Sequence, residues 1–198
     1  MTRMAEFPAL PHDFTEHQIE TRQVYRGKLL DVRQDTVRLP DGQTTVREYI
    51  VHHGAAAIVP LLDRDTVLME YQFRYPNRRH YYEIPAGKLD PGESPLAAAR
   101  RELLEETGYR AQRWHRLASL DLCIAYSTER IEFFLAEGLE YDAHRRDDEE
   151  FLETVPVPLE QAYRWIAEGI INDAKTVAGL LWLKAMGPHA GITAPGAG

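Results

Sequence analysis

Residues 87–109 read GKLDPGESPLAAARRELLEETGY, and this stretch decides the fold of the chain. Ser94 followed by Pro95 is typical of the start of a helix, because serine caps free backbone N–H groups and proline suits the first turn. Gly108 is typical of a helix end, since glycine readily adopts the left-handed conformation found there. The stretch therefore predicts a helix between these residues, with an apolar stripe for the core.

Three carboxylates lie close together on the predicted helix. Glu105 and Glu106 follow Glu102 by three and four residues, so all three lie about one turn apart on one face. On composition alone, such a face is most often exposed to solvent. A divalent cation would instead turn the repulsion between the carboxylates into attraction, and oxygen-only ligands favour Mg²⁺ or Mn²⁺.

The complete stretch resembles the signature of the Nudix hydrolase superfamily, G-x5-E-x7-R-E-U-x-E-E-x-G-U, in which U is apolar. Leu103 and Tyr109 occupy the U positions, and Tyr109 is bulkier than the usual aliphatic residue. The remaining fixed positions are all met: Gly87, Glu93, Arg101, Glu102, Glu105, Glu106 and Gly108. So many residues at fixed spacing are far more specific than a short glycine motif.

The resemblance implies a metal site and a set of catalytic residues. Glu102, Glu105 and Glu106 are expected to hold Mg²⁺ or Mn²⁺, together with the backbone carbonyl of Ala86, and Glu105 is also expected among the catalytic residues. Arg101 is expected to pair with a neighbouring carboxylate and fix its orientation.

A second acidic stretch, DDEEFLE, covers residues 147–153. Its composition alone is compatible with an exposed loop. The surrounding sequence resembles the ADP-ribose pyrophosphatase branch of the superfamily, in which a late acidic loop supplies a further ligand and a general base. The resemblance implies Glu150 as the ligand and Asp148 or Glu149 as the base, and the sequence does not choose between the last two.

Three further residues are predicted to bind the substrate. The string MEYQFRYPNRRHYYEIPAGKLDPGE also resembles this branch and places Arg74 where an arginine faces the substrate phosphates. Glu83 is expected as a supporting ligand or a substrate contact. Arg47 is either an ordinary surface arginine or a residue that reaches a nucleotide in the partner subunit.

The predicted fold is the Nudix α/β/α sandwich with a mixed β-sheet, preceded by a small N-terminal β-rich domain. We expect an N-terminal dimerisation region at residues 1–52, a Nudix domain at 53–187 and a flexible tail at 188–198. Apolar and polar patterns predict strands at 18–27, 29–39, 44–52, 55–62, 66–75, 81–84, 113–122 and 131–135, and helices at 159–168 and 174–186.

Composition excludes several classes of protein. The net charge of −8 argues against non-specific nucleic-acid binding, although it does not exclude a phosphate substrate when a metal is bound. One cysteine, Cys123, excludes an intrachain disulfide and a cysteine-cluster metal site. The N-terminal stretch has no long apolar run, so we expect no signal peptide, no membrane span and a cytoplasmic location.

The resemblance implies hydrolysis of the diphosphate of a nucleoside diphosphate derivative, with ADP-ribose giving AMP and ribose 5-phosphate, by a homodimer. GDP-mannose or another nucleotide sugar is the alternative substrate, since Ile124 stands where most of the branch has proline. A nucleotide-sensing Nudix domain without catalysis is a further alternative. Sensors tend to lose the signature carboxylates, all of which this chain keeps.

Overall fold

The computed structural model describes residues 12–142 and 151–186. The chain divides into two compact units, Met1–His52 with Ala125–Ser127, and His53–Ile124 with Thr128–Gly198. Within the described part of the chain, no helix combines the length and the apolar character that crossing a membrane requires.

The first unit is a three-stranded antiparallel sheet. Its strands are β1 (His17–Arg26), β2 (Asp31–Arg38) and β3 (Thr44–Val51), in the order β1-β2-β3. Gly42, at φ 86°, closes the turn between β2 and β3, where only glycine is unstrained. The three strands predicted from the N-terminal pattern are therefore present.

The core of the second unit is a four-stranded mixed sheet in the order β7-β4-β9-β8. Its strands are β4 (Ala55–Pro60), β7 (Ala86–Lys88), β8 (Tyr109–Asp121) and β9 (Arg130–Tyr141), and only the β4–β9 pair is parallel. β4 is buried along its whole length, as its continuous apolar run predicts. β8 begins at Tyr109 rather than at residue 113, because pairing with β9 extends to Tyr141.

Helices cover both faces of this sheet. Helix α1 (Pro95–Thr107) packs on the face that carries Ala56 and Ile58 of β4. Helices α2 (Leu159–Ala167) and α3 (Ala174–Met186) pack on the face that carries Ala57 and Val59. A Cβ at Gly179 of α3 would lie 2.9 Å from the Ile84 side chain, so glycine allows this close packing. The layers match the predicted sandwich.

A smaller antiparallel sheet carries part of the functional site. It consists of β10 (Leu152–Pro158), β5 (Thr66–Arg74) and β6 (Arg79–Glu83), in the order β10-β5-β6. The sequence patterns did not predict β10, which contains Pro156 and Pro158. It is an edge strand, where proline is tolerated because one side needs no ladder hydrogen bonds.

Side chains of β5 and β6 alternate between two faces, with charged residues on one face and aromatic rings on the other. Glu70 and Arg74 lie on one face, in register with Glu83 and Arg79 of β6. The other face carries an aromatic stack in which the rings of Tyr71 and His80 lie 4.9 Å apart. The polar face is the one that supplies residues to the site.

Candidate active site

Helix α1 begins and ends where the sequence predicts. The Ser94 hydroxyl accepts a hydrogen bond from the Ala97 backbone N–H, and Pro95 follows in the first turn. Gly108, at φ 78°, ends the helix and donates its N–H to the Leu104 carbonyl. These caps set the ends of the helix that carries the signature glutamates.

Arg101 joins the acidic residues of the signature. Its Nη1 donates to Glu102 at 2.7 Å and to Glu105 at 3.0 Å. Its Nη2 donates to Glu93 at 2.9 Å and to the Lys88 carbonyl at 3.0 Å. Hydrogen bonding to Glu93 is the first cause that raises the pKa of Arg101, and the same bond lowers the pKa of Glu93. The predicted pairing of Arg101 thus extends to three carboxylates.

Gly87 allows the Glu102 carboxylate to lie against the backbone of β7. A Cβ at this position would lie 1.8 Å from Glu102 Oε1 and 1.9 Å from Cδ, far inside van der Waals contact. Glycine therefore leaves this space to a side chain of α1, which would have to move if the residue carried a Cβ.

Glu106 lies deeper than its two neighbours in the signature. It is buried, and its Oε2 accepts a hydrogen bond from the Ala86 backbone N–H at 3.1 Å. It also shares a side-chain hydrogen bond with Glu70, a fully buried residue that the sequence analysis missed. Glu70 interrupts an apolar run in β5, and an acid within a buried strand was the available signal.

One carboxylate oxygen of the buried Glu70 lacks a hydrogen bond within the described structure. Its Oε1 is buried and has no hydrogen-bond partner there. Burial raises the pKa of Glu70 to about 7, although the bond to Glu106 and the charges of Lys175 and Arg74 act in the opposite direction.

Arg74 and Glu83, both predicted to bind substrate, bind each other. Arg74 Nε and Nη2 donate to the two carboxylate oxygens of Glu83, each at 2.8 Å. Glu83 also accepts from Lys175, a buried residue of α3 that the sequence analysis missed. Burial alone would raise the pKa of Glu83, but Arg74 and Lys175 outweigh it and lower the pKa.

The donor chemistry of the site fits a hard divalent cation. Glu102, Glu105 and Glu106 offer only oxygen, and Glu106 is hydrogen-bonded to Glu70, whose buried Oε1 has no partner in the described structure. Among residues 12–142 and 151–186, no three acidic, histidine or cysteine side chains are grouped closely enough to hold an ion as they stand. Glu102 Oε1 and Glu105 Oε2 each accept a hydrogen bond from Arg101 Nη1 in this arrangement.

The remaining predicted site residues lie elsewhere or outside the described residues. Arg47 forms a bidentate ion pair with Glu16 inside the N-terminal unit, at 2.9 and 2.6 Å. Asp148, Glu149 and Glu150 fall outside the described residues, so their predicted roles stay predictions.

Residues 51–180 match the NUDIX domain, and residues 16–50 match the nucleoside diphosphate sugar hydrolase N-terminal domain. The chain belongs to the Nudix family. Nudix hydrolases generally depend on a divalent metal ion, in keeping with the oxygen donors of α1. The fold class and the enzyme class predicted from the signature are thereby confirmed.

Three named relatives are similar to this chain over most of its length. "Methanol dehydrogenase activator" of Bacillus methanolicus is 36% identical over 173 residues, covering 86% of this chain and 94% of the relative. "ADP-ribose pyrophosphatase" of Bacillus subtilis is 37% identical over 171 residues, covering 85% and 92%. "GDP-mannose pyrophosphatase" of Klebsiella pneumoniae is 34% identical over 150 residues, covering 70% and 74%.

A solved structure described as an ADP compounds hydrolase superposes with a TM-score of 0.80. It is 26% identical in sequence and covers 89% of this chain and 99% of its own.

The contact between Gly87 and Glu102 gives a first prediction. Gly87→Ala should lower metal-dependent hydrolysis of a nucleoside diphosphate substrate more than about tenfold, because Glu102 must leave its place. The free energy of unfolding should change by no more than about 1 kcal/mol, since the clashing atoms are the movable end of a side chain. Glu102→Gln serves as the comparison. Full activity of Gly87→Ala would show that the position of Glu102 is unimportant.

The raised pKa of Glu70 gives a second prediction, for protein in a metal chelator. The folded pKa, about 7, lies above the ordinary value of 4.5, so the folded state binds the proton more tightly. Its contribution to stability is full below pH ~4.5 and is lost as the pH rises through ~7. As the pH is raised from 5 to 8, the free energy of unfolding of Glu70→Gln, measured in urea, should therefore rise relative to that of wild type. The exposed Glu153→Gln is the control, and parallel curves for wild type and Glu70→Gln would contradict the assignment.

Proposed function

We propose that this chain hydrolyses ADP-ribose to AMP and ribose 5-phosphate with bound Mg²⁺ or Mn²⁺. The observation that carries the proposal is the cluster that Gly87, Arg101 and the three signature glutamates build around β7, joined to the Arg74–Glu83 pair. A carboxylate cluster beside an arginine fork is suited to a metal-bound diphosphate. The relatives named for ADP-ribose support this choice of substrate.

In the proposed reaction, residues of the chain bind the cation, orient the diphosphate and take a proton from the attacking water. Glu102, Glu105, Glu106 and Glu150 would hold the cation, which would supply positive charge to neutralise the phosphoryl oxygens. Arg74 binds a phosphate oxygen pair, and Glu83 keeps its guanidinium in one orientation. Water attacks one phosphorus, the bond from that phosphorus to the bridging oxygen breaks, and the water proton passes to Asp148 or Glu149.

The experiment that tests this function is a substrate panel in Mg²⁺. We expect kcat/KM for ADP-ribose to exceed that for GDP-mannose by at least about tenfold, because selectivity reflects differential transition-state binding. Products are identified by chromatography as AMP and ribose 5-phosphate. Preference for GDP-mannose would favour the alternative substrate, and no cleavage of any diphosphate would favour a sensor.

A matched pair of variants assigns the activity to this site. Glu106→Gln keeps the size of the side chain but weakens a ligand, and should lower kcat more than about 100-fold with the fold intact. Glu160→Gln, at an exposed position on α2, should leave kcat unchanged. Near-normal turnover by Glu106→Gln would refute the metal assignment.

We also propose that residues 1–52 form a dimerisation region between two copies of this chain. Apolar side chains of the N-terminal unit are exposed in the single chain, a pattern typical of an interaction surface: Ile19, Val24, Tyr25, Leu29, Leu30 and Val46. The match of residues 16–50 to a separate N-terminal domain is consistent with a distinct role.

The dimer proposal predicts the mass of the protein in solution and a substitution that lowers it. Light scattering at micromolar concentration should give twice the chain mass of 22.7 kDa. Val24→Glu should shift the protein towards monomer, because a buried unpaired charge opposes association. Ile170→Glu, which alters an equally exposed apolar residue outside this sheet, is the control. A wild-type monomer would overturn the proposal.

A further inference from the structure

Lys175 is a buried cation for which the proposed reaction has no use. Its side chain is only 11% exposed, and its Nζ contacts Glu83 and Asp173, the latter at 2.8 Å. An ammonium group is strongly hydrated, so its burial is unfavourable unless anions surround it. The position of Lys175 on the polar side of β6 therefore needs an explanation.

The two carboxylate oxygens of Glu83 accept different numbers of hydrogen bonds. Oε1 accepts from Arg74 Nε, whereas Oε2 accepts from both Arg74 Nη2 and Lys175 Nζ. Arg74 is 44% exposed on its side chain, and Glu83 is 3% exposed. Lys175 thus contacts a buried carboxylate that also binds the partly exposed Arg74.

Lys175 is itself held by the first turn of α3. Asp173 Oδ2 accepts hydrogen bonds from Lys175 Nζ, from the Thr176 N–H at 3.1 Å and from the Thr176 hydroxyl at 2.7 Å. Thr176 Oγ1 in turn accepts from the Ile84 N–H at 3.0 Å. The start of α3 therefore contacts two consecutive residues at the end of β6, Glu83 through its side chain and Ile84 through its backbone.

A purely stabilising role is a weak explanation for this network. Buried ion pairs contribute little compared with apolar residues of the same size, because desolvation offsets the attraction between the charges. What the network does provide is a single orientation of the Glu83 carboxylate, and hence of the Arg74 guanidinium, whose planar fork requires both oxygens at once.

We propose that Lys175 is a positioning residue that acts on the substrate only through Glu83 and Arg74, fixing the Arg74 guanidinium so that its remaining N–H groups can bind the diphosphate. The proposal rests on the proposed function and assigns to that site a residue of α3. Lys175 needs no contact with the substrate, so its effect should disappear when Arg74 is absent.

A double-mutant cycle tests this dependence. Lys175→Met should raise KM for ADP-ribose about tenfold and change kcat less than about threefold, as expected for loss of ground-state binding. In the Arg74→Ala background the same substitution should change KM less than about twofold, because interacting residues are non-additive. Calorimetric affinity for ADP-ribose in a chelator, measured on the same four proteins, should show the same pattern without turnover.

Controls separate this result from general damage. Lys184→Met changes an exposed lysine of the same helix and should leave KM unchanged. If Lys175→Met does not fold, Lys175→Gln, which keeps a hydrogen-bond donor but no charge, replaces it in the cycle. An equal effect of the lysine substitution with and without Arg74 would overturn the proposal. Wild-type protein that fails to cleave ADP-ribose in Mg²⁺ would instead refute the proposed function, while the calorimetric cycle still decides the role of Lys175.

Discussion

Compensation of closely spaced carboxylates by three basic side chains is the constraint on which the site depends. Arg101 binds Glu93, Glu102 and Glu105, whereas Arg74 and Lys175 share Glu83. A buried acid without a counter-charge costs several kcal/mol, so the buried Glu83 adopts the orientation that Arg74 and Lys175 require. The bases therefore act as geometric restraints, and the acids are placed before any substrate arrives.

Strand alternation explains how such polar groups enter a buried region without disrupting it. One face of β5 and β6 carries the charged set that includes Glu70, Arg74 and Glu83, and the other carries stacked aromatic rings. The aromatic face buries apolar area against α2, with the rings of Tyr82 and Trp165 4.8 Å apart. The apolar packing of one face thus supports the polar chemistry of the other.

Local signals were enough to predict α1, since its caps and its carboxylate spacing depend on neighbours in sequence. The edge strand β10 was missed because two prolines are typical of a loop, and only pairing with β5 makes the segment a strand. Lys175 was missed for a similar reason. Its partner Glu83 lies 92 residues away in the sequence, and no periodic pattern links a helix start to the end of a strand at that separation.

The geometry of Arg101 is compatible with the metal site that we propose for the same acids. Its Nη1 alone contacts Glu102 and Glu105, whereas Nε and Nη2 contact Glu93 and the Lys88 carbonyl. The two sets lie on different edges of a planar group, so the first can be released while the second stays. In the proposed metal-bound state, Glu93 would keep Arg101 anchored if Glu102 and Glu105 turned to a cation, and the arginine would remain close enough to balance their charge once the cation left.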